Sequence, residues 1–227
     1  STEPRCDRGV TTSKEAAGEA VARPAMAVLG AGSWGTALAV HLARTGHPTV
    51  LWGRDPVQMA ALAAARCNTR YLPMTPFPES LRVESDLAHA VAAAQELLLA
   101  VPSHGFRECL VHVAPLLRNG MRVAWATKGF ELDSGKLPHQ VANEVLGIGV
   151  PKAVLSGPTF AREVGLGLPT AMTVASRDQD YALALARALS GQHFRAYAST
   201  DVIGVEVGGA TKNVLAIGAG ISDGLGF

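Results

Sequence analysis

The stretch Gly30-Ala31-Gly32-Ser33-Trp34-Gly35 restricts the fold of this chain more than any other, because it follows the apolar run Ala25-Met26-Ala27-Val28-Leu29 and opens a segment of helical period. Glycines at this spacing between a strand and a helix have separate jobs. Gly30 permits a tight turn, Gly32 leaves the backbone open to a pyrophosphate, and Gly35 lets the helix lie close on the strand. Free N–H groups at the helix start then face the anion, and Ser33 and Trp34 border the ligand. The pattern predicts a dinucleotide-binding βαβ unit.

The same rhythm of short apolar runs and Ala- and Leu-rich helical segments continues to about Ala198, as parallel strands with crossover helices require. We expect an α/β fold: a Rossmann-type, doubly wound, mainly parallel sheet over 26–198. Strands are read at Ala25 to Leu29, Thr49 to Trp52, Leu81 to Val83, Glu96 to Val101, Met121 to Ala126, Lys152 to Leu155, Ala171 to Ala175 and Phe194 to Ala198. Helices are read at Trp34 to Arg44, Pro56 to Arg66, Asp86 to Ala94, Phe106 to Leu117, Pro138 to Leu146 and Asp178 to Leu189. Asn68 to Ser80, with Pro73, Pro76 and Pro78, reads as an extended surface loop. Ser199-Thr200 caps a helix expected to begin at Asp201 and run past Lys212, the start over 199–227 of an all-α domain that is otherwise missing. Residues 1–25 read as a disordered tail.

Charge and composition exclude several classes of function. Lysine and arginine number 20 against 19 aspartate and glutamate, so a net charge of +1 gives no broad attraction for nucleic acid or anionic membrane. No uninterrupted apolar run reaches the ~20 residues of a membrane-spanning helix. Cys6, Cys67 and Cys109 lack any metal-ligand or disulfide spacing, so we expect no metal and a reducing, cytoplasmic setting. A homodimer is the assembly allowed for.

The second strand ends in Trp52-Gly53-Arg54-Asp55. An acid there selects NAD through the ribose 2′-hydroxyl, and an arginine selects NADP through the 2′-phosphate. Arg54 comes first and forks onto a phosphate, so NADP(H) is the expected cofactor, with NAD(H) also usable. Two loops after strands, Ala126-Thr127-Lys128-Gly129 and Ser156-Gly157-Pro158-Thr159-Phe160-Ala161, should open onto the cleft at the strand tips. Lys128 there meets a substrate phosphate or the nicotinamide ribose, and Gly157 and Thr159 offer donors. Gly208, Gly209 and Ala210 precede Lys212 in the last helix; their lack of bulk points to a close approach. Lys212 is the group read as the proton carrier for carbonyl reduction, oriented by Asn213. His104 sits at a strand end and is read as structural, and Trp52 and Trp125 as core.

Taken together, Gly30 to Ala39, Trp52-Gly53-Arg54, Ala126 to Gly129, Ser156 to Ala161 and Gly208 to Val214 closely resemble bacterial NAD(P)-dependent glycerol-3-phosphate dehydrogenases, over Met26 to Phe227. The resemblance implies reversible reduction of dihydroxyacetone phosphate to sn-glycerol 3-phosphate for glycerophospholipid synthesis, with Lys212 catalytic. It further implies cofactor contacts from Ser33, Trp34, Arg54, Lys128 and Ala161, and substrate contacts from Lys128, Gly157 and Thr159. The family's phosphate-clamping helical domain falls after Phe227. The alternatives are a related hydroxy-acid dehydrogenase and a non-catalytic NAD(P)-binding fragment.

Overall fold

The structure, a computed structural model, describes residues 23–226; the expected tail at 1–25 lies almost wholly outside the described residues. The first βαβ unit is β1 (Met26–Leu29), α1 (Ser33–Arg44) and β2 (Thr49–Trp52), followed by α2 (Pro56–Ala65). A short pair, β3 (Cys67–Asn68) and β4 (Leu72–Pro76), precedes β5 (Leu81–Glu84), α3 (Leu87–Ala92), β6 (Glu96–Leu99) and α4 (Ser103–Val113). Then come β7 (Arg122–Trp125), α5 (Pro138–Leu146), β8 (Lys152–Ser156), α6 (Ala161–Leu166) and β9 (Thr170–Ala175). The chain closes with α7 (Gln179–Leu189), β10 (Phe194–Ser199) and the 24-residue α8 (Val202–Leu225).

Eight strands form one sheet in the order β10-β9-β8-β7-β6-β1-β2-β5. Every neighbouring pair is parallel except β8 with β9. From β1 the chain first winds outward through β2 to β5, then returns to pair β6 on the other side of β1. That reversal opens a crevice at the strand tips, where ligands of doubly wound sheets bind.

Helices cover both faces, which is why β1 and Leu97 to Leu99 of β6 are apolar without alternation. On one face Leu38 and Leu42 of α1 and Leu185 and Leu189 of α7 share a core with Met26, Val28 and Leu155. On the other, Phe106, Leu110 and Val141 pack with Leu29, Leu97, Leu99 and Trp125. Leu38 is fully buried, so Leu38→Ala would cost about 2–5 kcal/mol in lost transfer energy and a cavity.

Several expectations are corrected. The stretch read as a surface loop from Asn68 to Ser80 contains the β3–β4 antiparallel pair, with Asn68, Leu72, Thr75 and Phe77 buried. Pro73 and Pro76 sit in a two-stranded ribbon outside the main sheet, where a missing N–H is tolerated, and Pro78 follows it. Helix α6 was not read at all: Phe160 caps it by donating its N–H to Glu163 at 3.2 Å. Helix α4 starts three residues before Phe106 and gives way to a 3-10 turn, Ala114–Leu116, at Pro115. Asp201, not Ser199-Thr200, caps α8: its carboxylate accepts the Gly204 N–H at 2.8 Å. Trp52 is only half-buried and borders the crevice, its Nε1 donating to the Ser85 carbonyl at 3.0 Å. Finally, α8 holds an 18-residue window of mean hydropathy 1.2, long and apolar enough by length and composition to cross a membrane. Interruptions such as Thr211 and Lys212 hid this from a reading based on unbroken runs.

Candidate active site

A cleft of about 910 Å3 opens at the strand tips. Its floor is the turn between β1 and α1. Gly30 adopts φ +122°, and a Cβ there would stand 2.6 Å from the Ala100 carbonyl oxygen. A Cβ at Gly35 would collide with the Gly30 carbonyl, whereas one at Gly32 would meet nothing, because that position faces the open cleft. Ser33 and Trp34 line the same space at the helix start. The Trp34 Nε1 is buried and has no hydrogen-bond partner among the described residues.

Arg54 lies exposed on the wall at the end of β2. Its neighbour Asp55 is committed elsewhere: one carboxylate oxygen accepts the N–H groups of Val57 at 2.9 Å and Gln58 at 3.3 Å, capping α2. Arg54 is thus the charged side chain left to meet a ligand at this strand end.

Strand β7 delivers the opposite wall. The Thr127 hydroxyl, buried, donates to the Val101 carbonyl at 2.8 Å and pins the loop to the end of β6. Lys128 lines the cleft, and its Nζ donates to the Gly157 carbonyl at the end of the neighbouring strand at 3.3 Å. Partial burial of the ammonium, and then the nearby Lys212 charge, hold the Lys128 pKa below the ordinary lysine value. Thr159 and Ala161 also line the cleft, and the Thr159 Oγ1 is a second buried polar atom with no hydrogen-bond partner among the described residues. Gly157 is different: it packs against β9, where a Cβ would stand 2.8 Å from the Ala171 carbonyl oxygen. Only its carbonyl is turned to Lys128.

Helix α8 crosses above this corner. At Gly209 a Cβ would stand 2.7 Å from the Ser156 hydroxyl and 3.9 Å from Cγ of Lys128, so this glycine sits at a close approach. Gly208 meets nothing and does not serve that purpose. Lys212, one turn later, places its Nζ 5.5 Å from the centroid of the Phe160 ring, a cleft residue. The side chain of Asn213 lies outside the described residues. Lys128 thus lines the cleft together with Arg54 and the glycine turn, while Lys212 is not one of its lining residues but stands close enough for its charge to act on Lys128.

Other residues here escaped the sequence reading. Asn68, fully buried, donates to the Ala31 carbonyl at 3.2 Å and the Thr36 hydroxyl at 2.8 Å, and Gln58 donates to the same Ala31 carbonyl at 3.2 Å. Two side-chain amides thus hold the glycine turn from behind. His104 and His112 line the cleft from α4 with no carboxylate partner among the described residues. Cys109 beside them is a free thiol that burial pushes up to about 12, which leaves it inert. Glu206 of α8 and His139 of α5 form a buried pair with Nδ1 to Oε2 of 2.5 Å. Among the described residues, no group of three or more His, Cys, Asp or Glu could hold a metal ion.

The family model described as "NAD-dependent glycerol-3-phosphate dehydrogenase N-terminus" matches residues 25–182, and its C-terminal counterpart matches 201–227. The chain belongs to this dehydrogenase family. Glycerol-3-phosphate dehydrogenase (NAD(P)+) of Aeromonas hydrophila is 57% identical over 204 residues, 89% of this chain and 61% of that protein. The corresponding Escherichia coli protein is 55% identical over 203 residues, 89% of this chain and 60% of its own. The crystal structure of glycerol-3-phosphate dehydrogenase from Coxiella burnetii superposes with a TM-score of 0.84 at 45% identity, covering 89% of this chain and 62% of that one. The chain thus spans about 60% of the length of the curated relatives it matches. As a member of the glycerol-3-phosphate dehydrogenase family it carries the family's mainly parallel Rossmann sheet, followed by α8.

Proposed function

We propose that this chain carries the cofactor cleft and the proton-transferring lysine of an enzyme that reversibly reduces dihydroxyacetone phosphate to sn-glycerol 3-phosphate. The observation that carries the reading is that Lys128 lines the same cleft as the glycine turn, with the Lys212 charge close enough to act on it. A pyridine nucleotide suits what the residues offer: an open backbone at Gly32, with Ser33, Trp34 and Thr159 lining the same space. Gly30, Gly32, Ser33, Trp34, Gly35 and Ala161 would hold it. Bound there, the nucleotide supplies the hydride.

The chain's own groups do the rest. Lys212 gives a proton from its ammonium to the ketone oxygen as the hydride reaches carbon, and takes it back from the alcohol in the oxidative direction. Lys128 keeps its positive charge on the substrate phosphate or the nicotinamide ribose, with Thr159 and Gly157 at its side and Asn213 orienting Lys212. Binding energy gained on the phosphate, remote from the reacting carbon, holds the ketone in line for transfer. Arg54 favours NADP(H) through the 2′-phosphate, since Asp55 is spent on its helix cap. In this reading 26–198 is the nucleotide-binding unit and 199–227 begins the substrate unit. The product feeds glycerophospholipid synthesis in a cytoplasmic setting, and a homodimer is the proposed assembly.

The test is substrate profiling of the complete reading frame that carries this chain. Turnover of NADPH with dihydroxyacetone phosphate, and none with dihydroxyacetone, is the expected result. Oxidation of small 3-hydroxy acids with NADP, and no action on sn-glycerol 3-phosphate, would overturn the assignment in favour of a hydroxy-acid dehydrogenase. Tight NADPH binding without turnover of either class would point to a binding module.

A further inference from the structure

Two buried acids, Glu96 and Glu206, lie outside the cleft, and the chemistry proposed above uses neither. Glu206 is 4% exposed, on the first turns of α8. Its Oε1 accepts the indole N–H of Trp125 at 3.0 Å and the backbone N–H of His139 at 2.9 Å. Its Oε2 lies 2.5 Å from His139 Nδ1, the donor in the tautomer that satisfies the carboxylate. The carboxylate also sits at the N-terminus of α5, where free amides and the helix dipole favour a negative charge.

Placing a carboxylate inside a core is costly unless every lone pair finds a donor. A leucine or methionine at 206 would bury as much apolar surface while leaving the Trp125 indole and the His139 amide unpaired. The acid therefore satisfies buried donors that apolar packing alone would leave unpaired. Directional bonds fix the register of one element on another, a role buried polar groups serve in helix pairing, and the register fixed here matters. Trp125 ends β7 three residues before Lys128, and Glu206 precedes Lys212 by six on α8. Between them, Gly209 brings α8 against Ser156 and the stem of Lys128.

We propose that Glu206 is a positioning residue for the transfer: one carboxylate ties the strand that delivers Lys128 to the helix that carries Lys212, and so sets the spacing of the two ammonium groups. The mechanical half of this stands on the bonds just given; the catalytic half rests on the dehydrogenase reading. Burial pushes the Glu206 carboxyl above its usual range, while the bonds from His139 and Trp125 pull it back.

The experiment uses Glu206→Gln in the complete protein, with Trp125→Phe as the milder variant should the first fail to fold. Glutamine keeps the volume but sets an amide against His139. Amide exchange in 126–129 and in 207–212 should rise together by about tenfold or more. The kcat per NADPH-binding site should fall about tenfold or more, with KM for NADPH within about twofold and a larger deuterium isotope effect on hydride transfer from labelled NADPH. A merely structural acid would lower the melting temperature and the number of active sites without changing the turnover of each. Unchanged exchange in both segments overturns the tether. Faster exchange with unchanged kcat per site and isotope effect overturns the positioning role. If the parent protein does not turn over dihydroxyacetone phosphate at all, the dehydrogenase reading fails and takes the catalytic half with it, while the exchange data still judge the tether.

Discussion

Asn68 holds the Ala31 carbonyl: its side-chain amide donates across 3.2 Å from the β3–β4 ribbon to the middle of the glycine turn, and at the same time to Thr36 of α1. Asn68→Ala would leave the buried Thr36 hydroxyl without its Asn68 contact and Ala31 with Gln58 alone. The expected cost is about 1–3 kcal/mol of stability, and NADPH affinity should weaken about three- to tenfold because the turn is no longer pre-organised. Denaturant titration and calorimetry of the variant check both figures.

That contact also shows where a sequence stops being legible. The turn itself could be read because Gly30, Gly32 and Gly35 have local steric jobs that follow from the absence of a Cβ, and the buried strands because both faces are covered. Asn68 could not: its partners are 37 and 32 residues away, and three prolines nearby argued for a loop. Glu206 left a signal, a lone acid among the apolar and small residues Val202 to Ala210, but its partners lie 67 and 81 residues distant. Which strand runs antiparallel, β9 against β8, is set by a connection through α6 that the apolar pattern does not encode. Lys128 and Lys212 were singled out separately; that they approach one corner is a property of the fold.

Arg54 sets a prediction on coenzyme choice. Losing a charge-assisted, bidentate contact is worth about 1.5–3 kcal/mol, so Arg54→Ala should raise KM for NADPH roughly 10- to 100-fold and leave KM for NADH nearly unchanged. Equal losses with both coenzymes would place Arg54 away from the 2′-phosphate.

Lys128 predicts a pH dependence. Its pKa lies below the usual lysine value through burial and the adjacent Lys212 charge. Only the protonated form attracts a substrate phosphate, so kcat/KM should fall as pH rises through that lowered pKa, earlier than an ordinary lysine would allow. In Lys128→Met the Lys128 contribution to that fall should be lost and KM for the phosphate substrate should rise. A pH profile of kcat/KM for both proteins tests this.

The two neighbouring glycines of α8 should behave oppositely. Gly208 is exposed, within a helix, with no atom near its missing Cβ, so Gly208→Ala should stabilise the protein by about 0.5–1 kcal/mol. Gly209 faces Ser156 and Lys128, so Gly209→Val should lower both the melting temperature and kcat. Thermal unfolding beside steady-state rates separates the pair.

The account stands most directly on the Lys212 ammonium as the proton donor in a nucleotide-filled cleft, and Lys212→Ala in the complete protein tests it. The turnover of NADPH with dihydroxyacetone phosphate should drop by ~10² or more while the dissociation constant of NADPH stays within about twofold. An unchanged turnover, with the cofactor still bound, would remove Lys212 from the reaction and contradict the mechanism.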